Sequence, residues 1–409
     1  MYSRLFLFNP TNEMAIANGQ VSYMPPRHLF NFEKDLATLP WIFGTKNDFV
    51  LIPEKAGHSL EFLNDHGWDI PNPVSGPGDI PEWARGNLVF EPWGWSPAVY
   101  RQFRPFYEMV HPGWHNHPFS SWEKAHATIL SRDTGYSLLN TISVFWKQSP
   151  DEYPLLYLPG QPLVVYHQKE LASVMKQCTP PLLVKTPWSA SGRGLFRIRD
   201  NNDDPSRSPW VKGMLQRQGK IYIEKTLDKI QDVSFQFFIE KGRIQYLGHN
   251  FFYADQTGQF SGCAVGPPVN EHPLFQDQGK IDEAVRQGAH LVKKGLENLS
   301  PELNYTGPAG VDGIFFRDEN NQLKLQPCLE INLRYNMGLA NIYLKRFIHP
   351  DARGIWKTGA FNQINWEAFC HQRKQENPPQ LMKGKLRRGF LPLISPVGNK
   401  NFGVWLETE

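Results

Sequence analysis

Cysteine is scarce. Cys178, Cys263, Cys328 and Cys370 are the only four in 409 residues, and no two form a CxxC pair or the spacing of a zinc site. Neither a disulfide framework nor a structural metal is indicated, and a reducing cytoplasm is the expected compartment. Long apolar runs are missing too: no stretch approaches eighteen residues, so no membrane-spanning helix is expected. The apolar run near Met1 is broken by Asn9-Pro10-Thr11-Asn12-Glu13, too early for a secretory signal. Neither sign of charge dominates, since 43 Lys+Arg against 40 Asp+Glu leave a net +3. The charges are interspersed, so no nucleic-acid partner is expected.

Glycine and proline, by contrast, are abundant at 33 and 34 residues, a level that suggests disorder until the 13 Trp, 14 Tyr and 27 Phe are counted. Such an aromatic complement builds a large core. The expectation is a folded, loop-rich protein of two or three modules.

Short β-prone runs at Arg4 to Phe8, Asp48 to Ile52 and Asn87 to Glu91 recur about every forty residues. That rhythm suits a small parallel sheet with crossovers. The prolines of His111 to Pro118 read as a boundary. Helical spacing follows over Ala125 to Leu139, then a strand at Leu163 to Val165, a helix over Gln168 to Gln177 and a strand at Leu182 to Lys185. A second long amphipathic helix is expected over 281–296, and a final strand at Phe402 to Leu406.

Three segments carry chemistry. In the first, the strand ending at Lys185 is followed by Ser189-Ala-Ser191-Gly192-Arg-Gly194 and by an alternating run, Leu195 to Arg199. Small residues let backbone N–H groups approach an anion, and the lysine adds a point charge. Because a strand and not a helix follows, and no GxxxxGK[ST] occurs, the segment reads as a strand–loop–strand phosphate flap and not a Walker loop. A hairpin turn with an exposed lysine is the plain alternative. In the second, Leu329 to Arg334 alternates, which puts Glu330, Asn332 and Arg334 on one face of a strand. If Gly310 to Phe316 pairs with it, Asp312 joins them. Oxygen ligands of this kind, completed by phosphates and water, suit Mg²⁺, and Arg334 can hold a carboxylate bidentately. The plain alternative is a solvent-facing strand with a Glu–Arg pair. The third, Lys220 to Phe238, is two β-prone runs joined by a charged link; its backbone can read an adenine edge and Asp232 can accept ribose hydroxyls, although charged links between strands are common.

In this order and spacing the three segments resemble the ATP-grasp superfamily over about residues 119–345. The hinge Ile223-Glu224-Lys225-Thr226-Leu227 to Asp232 resembles that of the biotin-carboxylase branch. The resemblance implies an α+β fold, two α+β subdomains clasping ATP, behind a Rossmann-like α/β domain. The expected division is 1–118, 119–270 (linker and flap) and 271–409 (core, acidic strand and extension). It also implies ATP held by Arg132, Lys185, Ser189, Ser191, Gly192, Gly194, Glu224, Lys225, Leu227 and Asp232. Arg132 would be the cation of an earlier helix that touches the α-phosphate, with Lys124 as the second choice. Mg²⁺, or Mn²⁺, would sit on Asp312, Glu330 and Asn332, and Arg334 and Lys185 would be catalytic. The implied reaction phosphorylates a carboxylate and joins it to an amine, releasing ADP and phosphate, with small-molecule partners and no membrane. A small-molecule kinase and a non-catalytic ATP sensor are the alternatives. His111, His115, His117 and His126 are expected to pack or face solvent, as is the basic run Lys383 to Arg388. The Asn9 to Asn18 segment with Trp93 and Trp95 is read mainly as turn and packing, with a place beside a substrate cleft as the other option. His249 and Asn250 are weaker candidates for contacting phosphate.

Overall fold

The computed structural model describes residues 2–189, 194–200, 203–255, 258–268, 270–361 and 364–409. Its first sheet is parallel, with strands in the order Asn72–Val74, Phe49–Leu51, Ser3–Leu7 and Leu88–Pro92. Three of these lie within a residue or two of the expected runs. The fourth, Asn72–Val74, carries a proline, which an edge position tolerates. The chain leaves Leu7 and Pro92 at the same end of the sheet, the end where open α/β sheets gather their ligand loops. There Asn9 donates from Nδ2 to the Gly94 carbonyl at 2.7 Å and accepts from the Gly94 N–H at 3.2 Å, tying the two loops together.

The second sheet is antiparallel and has nine strands among the described residues. From one edge the order is Leu323–Asn332, Gly307–Arg317, Asp228–Glu240, Arg243–Ala254, Phe260–Val265, Gly354–Ala360, Phe402–Thr408, Lys385–Pro392 and Gln380–Met382. Alternation along Asp228–Glu240 decides what each face does. Val233, Phe235, Phe237 and Ile239 are fully buried in the core shared with helix Gln278–Leu303, whose Gly288 lies against Phe235. Ser234 and Gln236 point to the opposite face. Helix Gln278–Leu303 runs beyond the expected 281–296 because Asp277 caps it from the Lys280 N–H. The single helix expected over 125–139 is two, Lys124–Ile129 and Arg132–Gln148, divided where Ser131 caps the second through the Asp133 N–H.

A third sheet, ordered Leu163–Val165, Ile221–Lys225, Leu182–Lys185 and Leu195–Ile198, has its own core of Val165, Leu171, Val184, Ile198, Val211 and Ile221. The two runs around Thr226-Leu227 therefore belong to different sheets. The hydrogen bonding divides the chain there and not at the expected 270/271, because Asp228–Glu240 to Phe260–Val265 pair with Gly307–Arg317 and Gly354–Ala360. Before residue 119, Pro112–Asn116 form a short 3-10 helix with Pro112 in its first turn. The stretch is packed, since Trp95 stacks on both Trp114 and Phe119.

Candidate functional site

Between the small antiparallel sheet and the large one lies a cavity of about 780 Å³, lined by Arg132, Lys185, Ser189, Glu224, Lys225, Leu227, Asp232, Asp312, Glu330, Asn332 and Arg334. Lys185 ends its strand opposite Tyr222 and carries a side chain only 6% exposed. Its ammonium is ion-paired with Glu224, which also accepts from Tyr136 Oη at 3.3 Å. Below Lys185 the chain turns back: the Thr186 N–H donates to the Gly194 carbonyl at 3.2 Å. A Cβ on Gly194 would stand 2.1 Å from Ser189 Cβ, so the turn closes only around glycine. Ser191 and Gly192 lie outside the described residues.

Arg132 is the first residue of its helix, and its guanidinium is fixed on three sides. Nε donates to the Thr186 carbonyl at 2.9 Å, Nη2 to Ser189 Oγ at 3.0 Å, and Nη1 pairs with Glu330. Burial is the largest influence and works against its charge, but Glu330, Tyr136 and Glu13 together raise its pKa. The helix approaches the acidic strand closely because Gly135 has no side chain; a Cβ there would lie 3.2 Å from the Ile331 nitrogen. Lys124, the other expected cation, is exposed and does not line the cavity.

The acidic strand pairs as anticipated, with Asp312 opposite Glu330. Asp312 accepts from Ser234 Oγ at 2.5 Å and from Asn332 Nδ2 at 2.9 Å. Burial and the neighbouring Glu330 push the Asp312 carboxyl up to about 7. Burial also works against Glu330, yet Arg132 and Lys185 hold that carboxylate below its ordinary value. Two apposed carboxylates, one inclined to keep a proton, form an oxygen donor set that a hard divalent cation fits. No cluster of three or more His, Cys, Asp and Glu ligands occurs among the described residues, so phosphates and water would have to complete the shell. Asn332 bridges the pair to Arg334: its amide oxygen accepts from Arg334 Nη2 at 2.8 Å.

Arg334 lies just past the strand, not within it, and it is not a free cation. Its Nε donates to Glu13 Oε1 at 3.0 Å. Glu13 lies in the helix Asn12–Asn18 that follows the first parallel strand, within the segment read mainly as turn and packing; its pairing escaped because its partner is 321 positions away. Asp232 is likewise engaged, by Lys229 Nζ at 2.6 Å, while Lys225 reaches outward to Glu319 at 3.3 Å. Ser234, Tyr136 and Glu13 are additions that sequence reading missed. Asn250 is buried against Cys263, and His249 lies beside Tyr246; neither lines the cavity. His117 stacks on Trp114, and His126 caps the turn at Glu123.

Compared by sequence, the chain matches no family model and no curated protein. Compared by structure, it is similar over its whole length to several solved enzymes. One is the biotin carboxylase β-γ-ATP complex from Campylobacter jejuni, with 11% identity, 87% of that chain covered and a TM-score of 0.50. Another is Rhizobium etli pyruvate carboxylase, with 12% identity, 36% of that chain covered and a TM-score of 0.51. A third is N5-carboxyaminoimidazole synthetase from Staphylococcus aureus, complexed with ADP, with 13% identity, 93% of that chain covered and a TM-score of 0.47. The likeness is one of fold: the chain has the ATP-grasp fold, two α+β units facing each other across a cavity, preceded by a small parallel α/β sheet.

Proposed function

We propose that this protein is an ATP- and Mg²⁺-dependent ligase that activates a carboxylate as an acyl phosphate and joins it to an amine. The reading rests above all on one juxtaposition. Two buried cations, Lys185 and Arg132, line one cavity together with the apposed carboxylates Asp312 and Glu330, and the Glu224–Leu227 segment borders it. The β-γ-ATP complex of the similarly folded biotin carboxylase agrees with it. In the resting state each cation is held by a carboxylate, Lys185 by Glu224 and Arg132 by Glu330. An incoming triphosphate offers both cations a stronger partner, so the site exchanges internal ion pairs for phosphate contacts.

Mg²⁺ on Asp312 and Glu330 would supply further charge compensation for the triphosphate. A substrate carboxylate oxygen then attacks the γ-phosphorus and ADP leaves. An amine attacks the resulting acyl carbon and phosphate leaves. Lys185 and Arg132 lower the cost of bringing two anions together, and closure of the small sheet excludes water from the acyl phosphate. The expected result is ADP release that requires ATP, Mg²⁺ and a carboxylate–amine pair and is lost in Glu330→Ala. ADP release with one co-substrate and a stable phosphorylated product would assign a kinase instead. Tight ATP binding with no turnover on any pair would assign a sensor.

A further inference from the structure

A second cavity, of about 880 Å³, lies on the other side of Arg334, whose side chain belongs to the walls of both. One wall is aromatic: Trp114 packs against Trp95, at 5.7 Å between ring centroids, and against His117, at 4.5 Å, and those two rings also meet at 5.7 Å. At its inner end stands Glu91, the last but one residue of a parallel strand, accepting from Tyr335 Oη at 3.0 Å.

The charges around Glu91 indicate what the cavity takes. Arg334 is already matched by Glu13, at 3.0 Å. Arg4, the other nearby cation, is committed to Asp48 through Nε at 3.2 Å and Nη2 at 2.7 Å. Burial keeps His117 neutral, with its pKa lowered to about 4. Lys241 and Glu240 are both exposed and flank the mouth together. Among the described residues Glu91 thus has a phenol for a partner and no ion-paired cation of its own. A carboxylate placed this way among aromatic rings is complemented by an ammonium group carrying an apolar body.

We propose that this second cavity is the amine subsite, which holds the ammonium of the acceptor at Glu91 and its apolar or aromatic body against the Trp95–Trp114 wall. The assignment rests on the ligase reading for its meaning, but its binding chemistry is tested without ATP. The probes are phenethylamine, 2-phenylethanol and 3-phenylpropionate, which differ in head-group charge, titrated into the full chain by calorimetry and saturation-transfer NMR. Phenethylamine is expected to bind saturably, about tenfold or more tighter than the alcohol, the worth of one charge-assisted hydrogen bond. The propionate is expected not to bind. Glu91→Gln should erase the amine's advantage while leaving the alcohol unchanged, and an excess of MgATP should not displace the amine. Equal binding of amine and alcohol by the wild-type chain, absence of saturable amine binding, preference for the anion, or displacement by MgATP would each overturn the proposal. The wild-type comparison needs no variant to fold. Lys185→Ala, which tests the ATP reading, leaves amine binding intact, so failure of one reading does not imply failure of the other.

Discussion

Glu13 and Arg334 are 321 residues apart in the chain, yet they meet at 3.0 Å with side chains 13% and 15% exposed. Burial raises the Glu13 pKa, and Arg334 opposes the rise. The pair fastens the helix Asn12–Asn18, which follows the first parallel strand, to the segment just past the acidic strand. Removing one partner leaves a buried charge uncompensated, which costs about 2–4 kcal/mol, whereas removing both costs less than the sum. Urea denaturation of Glu13→Ala, Arg334→Ala and the double variant is therefore expected to give a coupling energy of about 1–3 kcal/mol. Additive losses would mean that the pair fastens nothing.

Lys185 makes a different case, because its partner Glu224 borders the same cavity. In Lys185→Ala the triphosphate loses a buried cation, and Glu224 is left facing it unpaired. ATP affinity by calorimetry should fall at least tenfold, about 1.4 kcal/mol or more. Lys185→Arg should restore it only in part, since a planar guanidinium does not fit a site built for a point charge. Unchanged affinity in the alanine variant would remove Lys185 from the phosphate site.

The strand carrying Lys185, the acidic strand and the parallel sheet were legible because alternation, turn residues and β-branched runs are local signals. The Asp312–Glu330 pairing was legible for the same reason: two alternating runs flank a polar turn, and antiparallel pairing then fixes the register. What escaped depends on partners far away in sequence. Nothing near Glu13 announces Arg334, and nothing near Tyr136 announces Glu224. That strands on both sides of 270/271 share one sheet escaped for a similar reason. The strands from Asp228 to Val265 look alike whichever sheet they join, and only long-range pairing with Gly307–Arg317 decides it.

Glu91 gives a pH-dependent prediction. Burial raises its pKa from 4.5 to about 7, so with no cation bound the folded chain favours the neutral acid below about pH 7 and the carboxylate above it. Between those values the folded state binds the extra proton, and this group's contribution to stability declines as pH rises from about 4.5 to about 7. Glu91→Gln keeps an acceptor for Tyr335 but has no charge to bury. Its thermal stability relative to wild type should therefore improve across that interval, by about 3 kcal/mol in total, and stay level outside it. A difference that does not vary with pH would show that Glu91 is not held neutral by its surroundings.

The turn at Gly194 offers the most local test. Gly194 sits where a Cβ would come within 2.1 Å of Ser189 Cβ and 2.5 Å of Thr186 Oγ1, both in the turn that Arg132 braces through Ser189 Oγ and the Thr186 carbonyl. Gly194→Ala must open that turn, and the guanidinium loses its two neutral partners while keeping Glu330. The core of the small sheet, built on Val165, Val184 and Ile221, is untouched, so the fold should persist by circular dichroism. ATP affinity should nevertheless fall several-fold, because the lysine, the arginine and the loop no longer share one frame. Full affinity in Gly194→Ala would mean that the close approach at this turn is a packing feature without consequence for nucleotide.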